Sequence, residues 1–209
     1  MGLLDTLLGR SKPVKANLDA LFALPGAAVT LQVTTGLVPG PQAGVCFKPP
    51  AGHPFDELQA EVEQLLRTGE PPAGAPGTGA ASGADIGVHH SVDRFGYRWI
   101  VVDGATIEDL VTRVHMVHSS LEDAGWATQL LCSVFRFRPD TADGAAPSVT
   151  GPVYFVYLAK RGTFYPFAPL GDERRDNELE LRLRSVVGSD LPIEEDLGRW
   201  FPLWDLPLS

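Results

Sequence analysis

His115 and His118 lie three residues apart, the spacing that sets two imidazoles on one helical turn where both can face a single metal ion. The glutamate of a metalloprotease helix is missing from the pattern, and no cluster of further ligands stands nearby. The expectation is a helix surface carrying two ordinary histidines. His89-His90-Ser91-x-Asp93 contains the residue types of a catalytic triad. Members of a triad meet in space from separate elements, and neighbours in a strand point to opposite faces. No Gly-x-Ser-x-Gly elbow accompanies them. Gly77-Thr-Gly79-Ala-Ala-Ser-Gly83 comes near a dinucleotide fingerprint but is one residue too long. It also follows a proline-rich run in place of a strand and has no lysine close by, so it reads as flexible linker. Cys46 and Cys132 are far apart in sequence, each inside an apolar strand-like run. Buried small hydrophobes in a reducing compartment are expected, not a disulfide framework. No Cys-x-x-Cys pair exists to bind zinc or run redox chemistry.

Binding signals are stronger than catalytic ones. Leu3, Leu4, Leu7 and Leu8 recur at helical spacing and define one apolar face. Arg10, Lys12 and Lys15 follow at once, a small basic patch suited to a partner or an anionic bilayer. Arg136 and Arg138 are two apart in a strand-like run and share a face; with Lys160 and Arg161 they read as a solvated sheet face or as an anion or partner patch. From residue 172 onward ten acidic residues face five basic ones, which reads as a solvated helix with paired charges or as an acidic docking surface. Trp200-Phe-Pro-Leu-Trp204 ends the chain with large apolar rings, expected to pack back over a sheet.

These residues sit in a chain of 209, with 44% hydrophobic and 21% charged residues, enough to bury a core. The net charge of −9 argues against a general nucleic-acid binder, which needs a basic field to meet phosphates. No apolar run reaches the 18 residues of a membrane span. No export signal is read at the N-terminus.

The elements that must position the candidate residues follow from periodicity. Ala28–Thr34 alternates Val29, Leu31 and Val33 with polar residues and reads as a strand. Residues 36–40 read as a turn and 44–48 as a second strand. A helix is expected over 55–67, with Phe55, Leu58, Val62, Leu65 and Leu66 on one face. Residues 69–85 are Gly-, Pro- and Ala-rich and read as a flexible loop. Strands follow at 86–92 and 97–102. A helix from Thr106 then begins with a capping box to Asp109 and carries the stripe Leu110, Val114, Val117, Leu121. Further strands are expected at 129–138 and 152–160, the latter apolar on both faces and central in the sheet, and a charged helix at 173–187. The parallel between 44–66 and 97–114 suggests an internal ββα duplication. The fold class is α+β, an antiparallel sheet with helices packed on it. The division is an N-terminal amphipathic helix and basic patch at 1–16, then one domain at 17–209.

The opening Met1-Gly-Leu-Leu-Asp-Thr-Leu-Leu-Gly-Arg-Ser-Lys-Pro-Val-Lys15, followed by Asn17-Leu-Asp-Ala-Leu-Phe-Ala-Leu-Pro25, resembles the PspA-associated family PspAB. The block Thr106–Gly125 fits it too, as does Pro152–Lys160 leading into Phe164-Tyr-Pro-Phe-Ala-Pro169. The resemblance covers most of the chain outside 69–85. It implies a cytoplasmic accessory of PspA, the membrane-binding coiled-coil protein of the phage-shock envelope-stress response. It carries no catalytic residues to place here. The layout is also similar to the type III secretion chaperone-like fold and its YbjN relatives, an analogy of fold alone.

The sequence reading is therefore a bacterial, cytoplasmic, non-enzymatic protein that binds PspA or a PspA-linked complex, with weak peripheral membrane contact and no cofactor. The contact residues are expected to be Leu3, Leu4, Leu7, Leu8, Arg10, Lys12, Lys15, Arg136 and Arg138. Two rivals stand beside it: a small-molecule or metal-binding regulatory domain using His115 and His118, and a hydrolase built on His89 or His90.

Overall fold

A computed structural model describes residues 17–48, 87–141 and 149–209. The expected N-terminal leucine helix with its basic patch, the 55–67 helix and the 69–85 loop lie outside the described residues.

The chain enters through a 3-10 segment, Leu18–Ala23, that runs directly into helix α1, Leu24–Thr35. This corrects the strand expected at 28–34. Leu24, Ala27, Ala28, Leu31 and Thr35 recur every three or four residues and are all buried, so helical burial overrides the β-branched content of Val29, Thr30, Val33 and Thr34. Pro25 occupies the first turn, where its missing N–H costs no hydrogen bond, and Gly36 stops the helix with a φ of 69°. Together the two segments make an 18-residue helical run, Leu18–Thr35, of mean hydropathy 1.2, long and apolar enough by length and composition to cross a membrane. The sequence reading found no such run. Its inner face is nonetheless part of the protein core.

Strand β1, Leu37–Phe47, starts inside the region expected to turn. Only Gly36 turns. Leu37 to Pro39 already pair with Pro139 to Phe137, and a register shift between Pro39 and Ala43 absorbs the two prolines, which have no N–H to offer a ladder. Strands β2 (Val88–Val92) and β3 (Arg98–Asp103) follow. Helix α2, Ile107–Asp123, carries the expected capping box between Thr106 and Asp109. Leu110, Val114, Val117 and Leu121 are fully buried, and Gly125 ends the helical region at a φ of 83°. Strands β4 (Leu130–Pro139), β5 (Val153–Leu158) and β6 (Thr163–Phe167) complete the main sheet. A small ribbon of β7 (Pro169–Gly171) and β8 (Arg174–Arg175) leads to helix α3, Asn177–Val187.

The six strands are antiparallel in the order β2-β3-β1-β4-β5-β6. Strand β5 is buried on both faces as its composition suggests, but it lies second from the edge, not at the centre. Strand β6 was not foreseen. Its Pro166 is tolerable because β6 is an edge strand of this sheet. The three α-helices among the described residues pack on one face, over Val45, Ile100, Phe135, Phe155 and Phe164. The opposite face holds Cys46, Trp99, Cys132, Val134, Tyr165 and Phe167, covered by the C-terminal segment through Trp200 and Leu208. The result is an α+β fold on one sheet. The ββα duplication is not shown: its first strand is helical, and its first helix lies outside the described residues.

Candidate functional site

The histidines separate into structural and surface roles. His118 is buried, and its Nε2 shares a 2.6 Å hydrogen bond with Ser133 Oγ of β4. Desolvation, with the neighbouring His115 adding to it, lowers its pKa to about 4. His115 instead sits at the surface of α2, its ring centroid 5.2 Å from Phe22. The two do not converge on one point, and no group of three or more His, Cys, Asp or Glu side chains that could hold a metal occurs among the described residues.

His89 lies exposed on β2 and meets Asp103 Oδ2 at 3.2 Å. His90 points to the other face, opposite Ile100. Ser91 lies two residues beyond His89 on the same strand face, roughly 6–7 Å along the strand and outside hydrogen-bond reach. Asp93 serves the β2–β3 turn: one oxygen accepts from the N–H groups of Phe95 and Tyr97, the other from the Trp99 indole at 3.1 Å. These side chains hold a hairpin.

The acidic stretch from residue 172 onward is less of a solvated surface than its composition implies. Glu180 is buried, accepting from the Ala168 N–H at 2.9 Å and bridging Arg175, which also donates to the Trp200 carbonyl. Desolvation dominates there and raises the Glu180 pKa against the pull of Arg175. Glu194 is also buried and receives Arg161, Thr163 Oγ1 and the Asp196 N–H. Burial opposes its ionisation, yet those donors together hold its carboxyl below the usual range. Sequence reasoning treated both as members of a charge run. Glu180 had a readable signal, since it lies three residues after Asn177 on the stripe of Leu183 and Val187. Glu194 had none.

Arg136 and Arg138 do share a strand face, as expected, but their surroundings differ. Arg136 stands opposite Tyr154 on β5 and is half-buried. Arg138 is exposed and lines a groove of about 490 Å³ with Pro25, Val29, Gln32, Pro39 and Glu108. Above this groove the outer side of the first helical run carries apolar residues. Phe22, Val29 and Val33, spaced seven and four apart, fall on one stripe and are 52%, 63% and 83% exposed. Gln32 and Thr34 are exposed on the same outer side, so the stripe is apolar within a mixed surface, while the inner side of the helix is buried.

A second, larger cavity of about 550 Å³ opens on the other face of the sheet. Its walls are Phe95, Tyr97, Trp99, Tyr165, Phe201 and Trp204, and both cysteines line it. Cys46 and Cys132 are buried and free.

The fold and these surfaces define an α+β protein of one six-stranded antiparallel sheet, helices on one face and its C-terminal segment on the other, with an apolar helix stripe turned outward. The chain belongs to the PspAB family, PspA associated protein B, whose family model matches residues 1–208. The family name records an association with PspA, in keeping with an accessory role and a protein partner. No curated protein and no solved structure matches the chain.

Proposed function

We propose that this protein is a non-catalytic adaptor or regulator that docks PspA, or a PspA-containing complex, on the outer stripe of α1 and the groove beside it. A cytoplasmic setting with peripheral contact at the inner face of a membrane is part of this reading. The observation that carries it is the stripe Phe22, Val29 and Val33, three apolar side chains that the helical run places at the surface. Exposed apolar groups grouped on one element mark contact sites, and the flanking groove adds a cation, Arg138, at its wall. Further support comes from the titratable groups His118, Asp93, Glu180 and Glu194, each of which is tied to a structural partner. The basic patch Arg10, Lys12, Lys15 and the leucines before it precede this stripe directly in the chain, so the proposal extends the contact to them.

The test is calorimetric titration of the full chain against purified PspA. We expect a Kd in the micromolar range or below. Val29→Asp with Val33→Asp should weaken it at least tenfold while leaving the melting temperature within a few degrees, because both side chains are already solvated. Removing residues 1–12 should weaken it as well. Absence of binding by a folded chain overturns the proposal. Binding indifferent to the double aspartate variant removes the stripe from it.

A further inference from the structure

Cys46 and Cys132 are register partners, directly opposite each other on the adjacent strands β1 and β4. Residues so placed in an antiparallel pair have Cα atoms about 4.5–5.5 Å apart, inside the range a disulfide spans. Their side chains share the sheet face that carries Trp99 and Val134. Both are free, and both line the aromatic cavity, which is open on one side. Small solutes therefore have a path to the sulfur atoms although each cysteine is only 4–6% exposed.

We propose that Cys46 and Cys132 are a reversible oxidation site that closes to an intramolecular disulfide with a small hydroperoxide as oxidant. Two S–H bonds break and one S–S bond forms. The hydroperoxide O–O bond takes up the two electrons and both protons, leaving one alcohol and one water. The surroundings select this product. Trp99 and Leu158 flank the pair in its row across the sheet, so a sulfenate, a sulfinate or a metal dithiolate would place polar or charged groups against apolar walls. The dithiol and the disulfide are both neutral and both compatible with that site. The Cys132 thiol beside it, and after that burial, push the Cys46 thiol up, so the reduced form is protonated and oxidation is slow near neutral pH.

The test treats the full folded chain with hydrogen peroxide, then denatures it, alkylates it and maps its peptides. The expected result is loss of both alkylatable thiols, a cross-linked peptide joining Cys46 to Cys132, a monomeric product, and full recovery of both thiols with dithiothreitol. Indole fluorescence should fall on oxidation, because Trp99 lies beside Cys46, and the melting temperature should rise by roughly 5–10 °C. Cys46→Ser and Cys132→Ser should each abolish the cross-link and keep the fold. Thiols that stay alkylatable in the folded chain under conditions that oxidise the urea-unfolded chain would overturn the proposal. Intermolecular dimers or sulfinic acid as the main product would do the same.

Discussion

At the scale of single residues, His118 makes the most direct link between burial and a measurable property. Its folded pKa of about 4 lies below the ordinary 6.5. Between those values the unfolded chain binds the proton and the folded chain does not. Stability is therefore highest above pH 6.5 and falls as pH is lowered through that window, by about 3 kcal/mol in full. Urea titrations at pH 7.5 and pH 4.5 should show this fall, and His118→Leu should remove most of the slope while lowering stability at both. Adding Ser133→Ala to His118→Leu should recover about 1 kcal/mol, since the lone hydroxyl would otherwise stay buried without its partner. Glu194 works in the same direction further into acid, because its lowered pKa gives stability that protonation removes. Glu180 works against both, its carboxyl being raised. Of these roles only the burial of Glu180, on the stripe of Leu183 and Val187, left a signal in the sequence. A histidine at helical spacing from another reads as a potential ligand or a surface residue, and only the packing of α2 on β4 turns His118 inward. The opposite holds for Arg136 and Arg138: alternation alone placed them on one face, and it was correct.

At the scale of elements, legibility tracked how local the determinants are. The capping box Thr106–Asp109 and the stripe behind it are encoded within a few turns, and α2 stands where the sequence puts it. Thr106→Ala should cost about 1 kcal/mol, read as a shift of the urea midpoint at constant slope. Strands β2, β3, β4 and β5 were likewise readable from runs of Val, Ile, Phe and Tyr. The first helix was not. Its residues satisfy period two and period 3.6 together, and the choice is made by Leu21, Leu24 and Leu31 meeting the core from one side. The misreading hid the surface proposed here for partner docking, because in a strand Val29, Leu31 and Val33 would share one buried face. In the helix Leu31 turns inward while Val29 and Val33 face out.

At the scale of the whole molecule, the sheet has apolar residues on both faces, and among the described residues helices cover one of them. The C-terminal segment is the second cover, held by Trp200, whose indole donates to the Glu194 carbonyl and stacks on Tyr165 at 5.9 Å. Trp200→Ala should destabilise the protein by about 3–5 kcal/mol, a drop checked by calorimetric melting, and should expose aromatic surface that binds a hydrophobic dye. That covering role was anticipated for the tail from its Trp and Pro content. The sheet order was beyond reach, because nothing local states that β1 lies between β3 and β4. That order also sets a schedule for biosynthesis. Strand β1 emerges from the ribosome with neither neighbour yet made, and its second partner, β4, is complete only at Pro139. At ordinary translation speeds the wait is roughly 5–20 s. Through it the nascent chain displays Val45, Cys46 and Phe47 together with both faces of a helix rich in Leu and Val, which makes the first quarter of this protein a natural client for ribosome-bound chaperones.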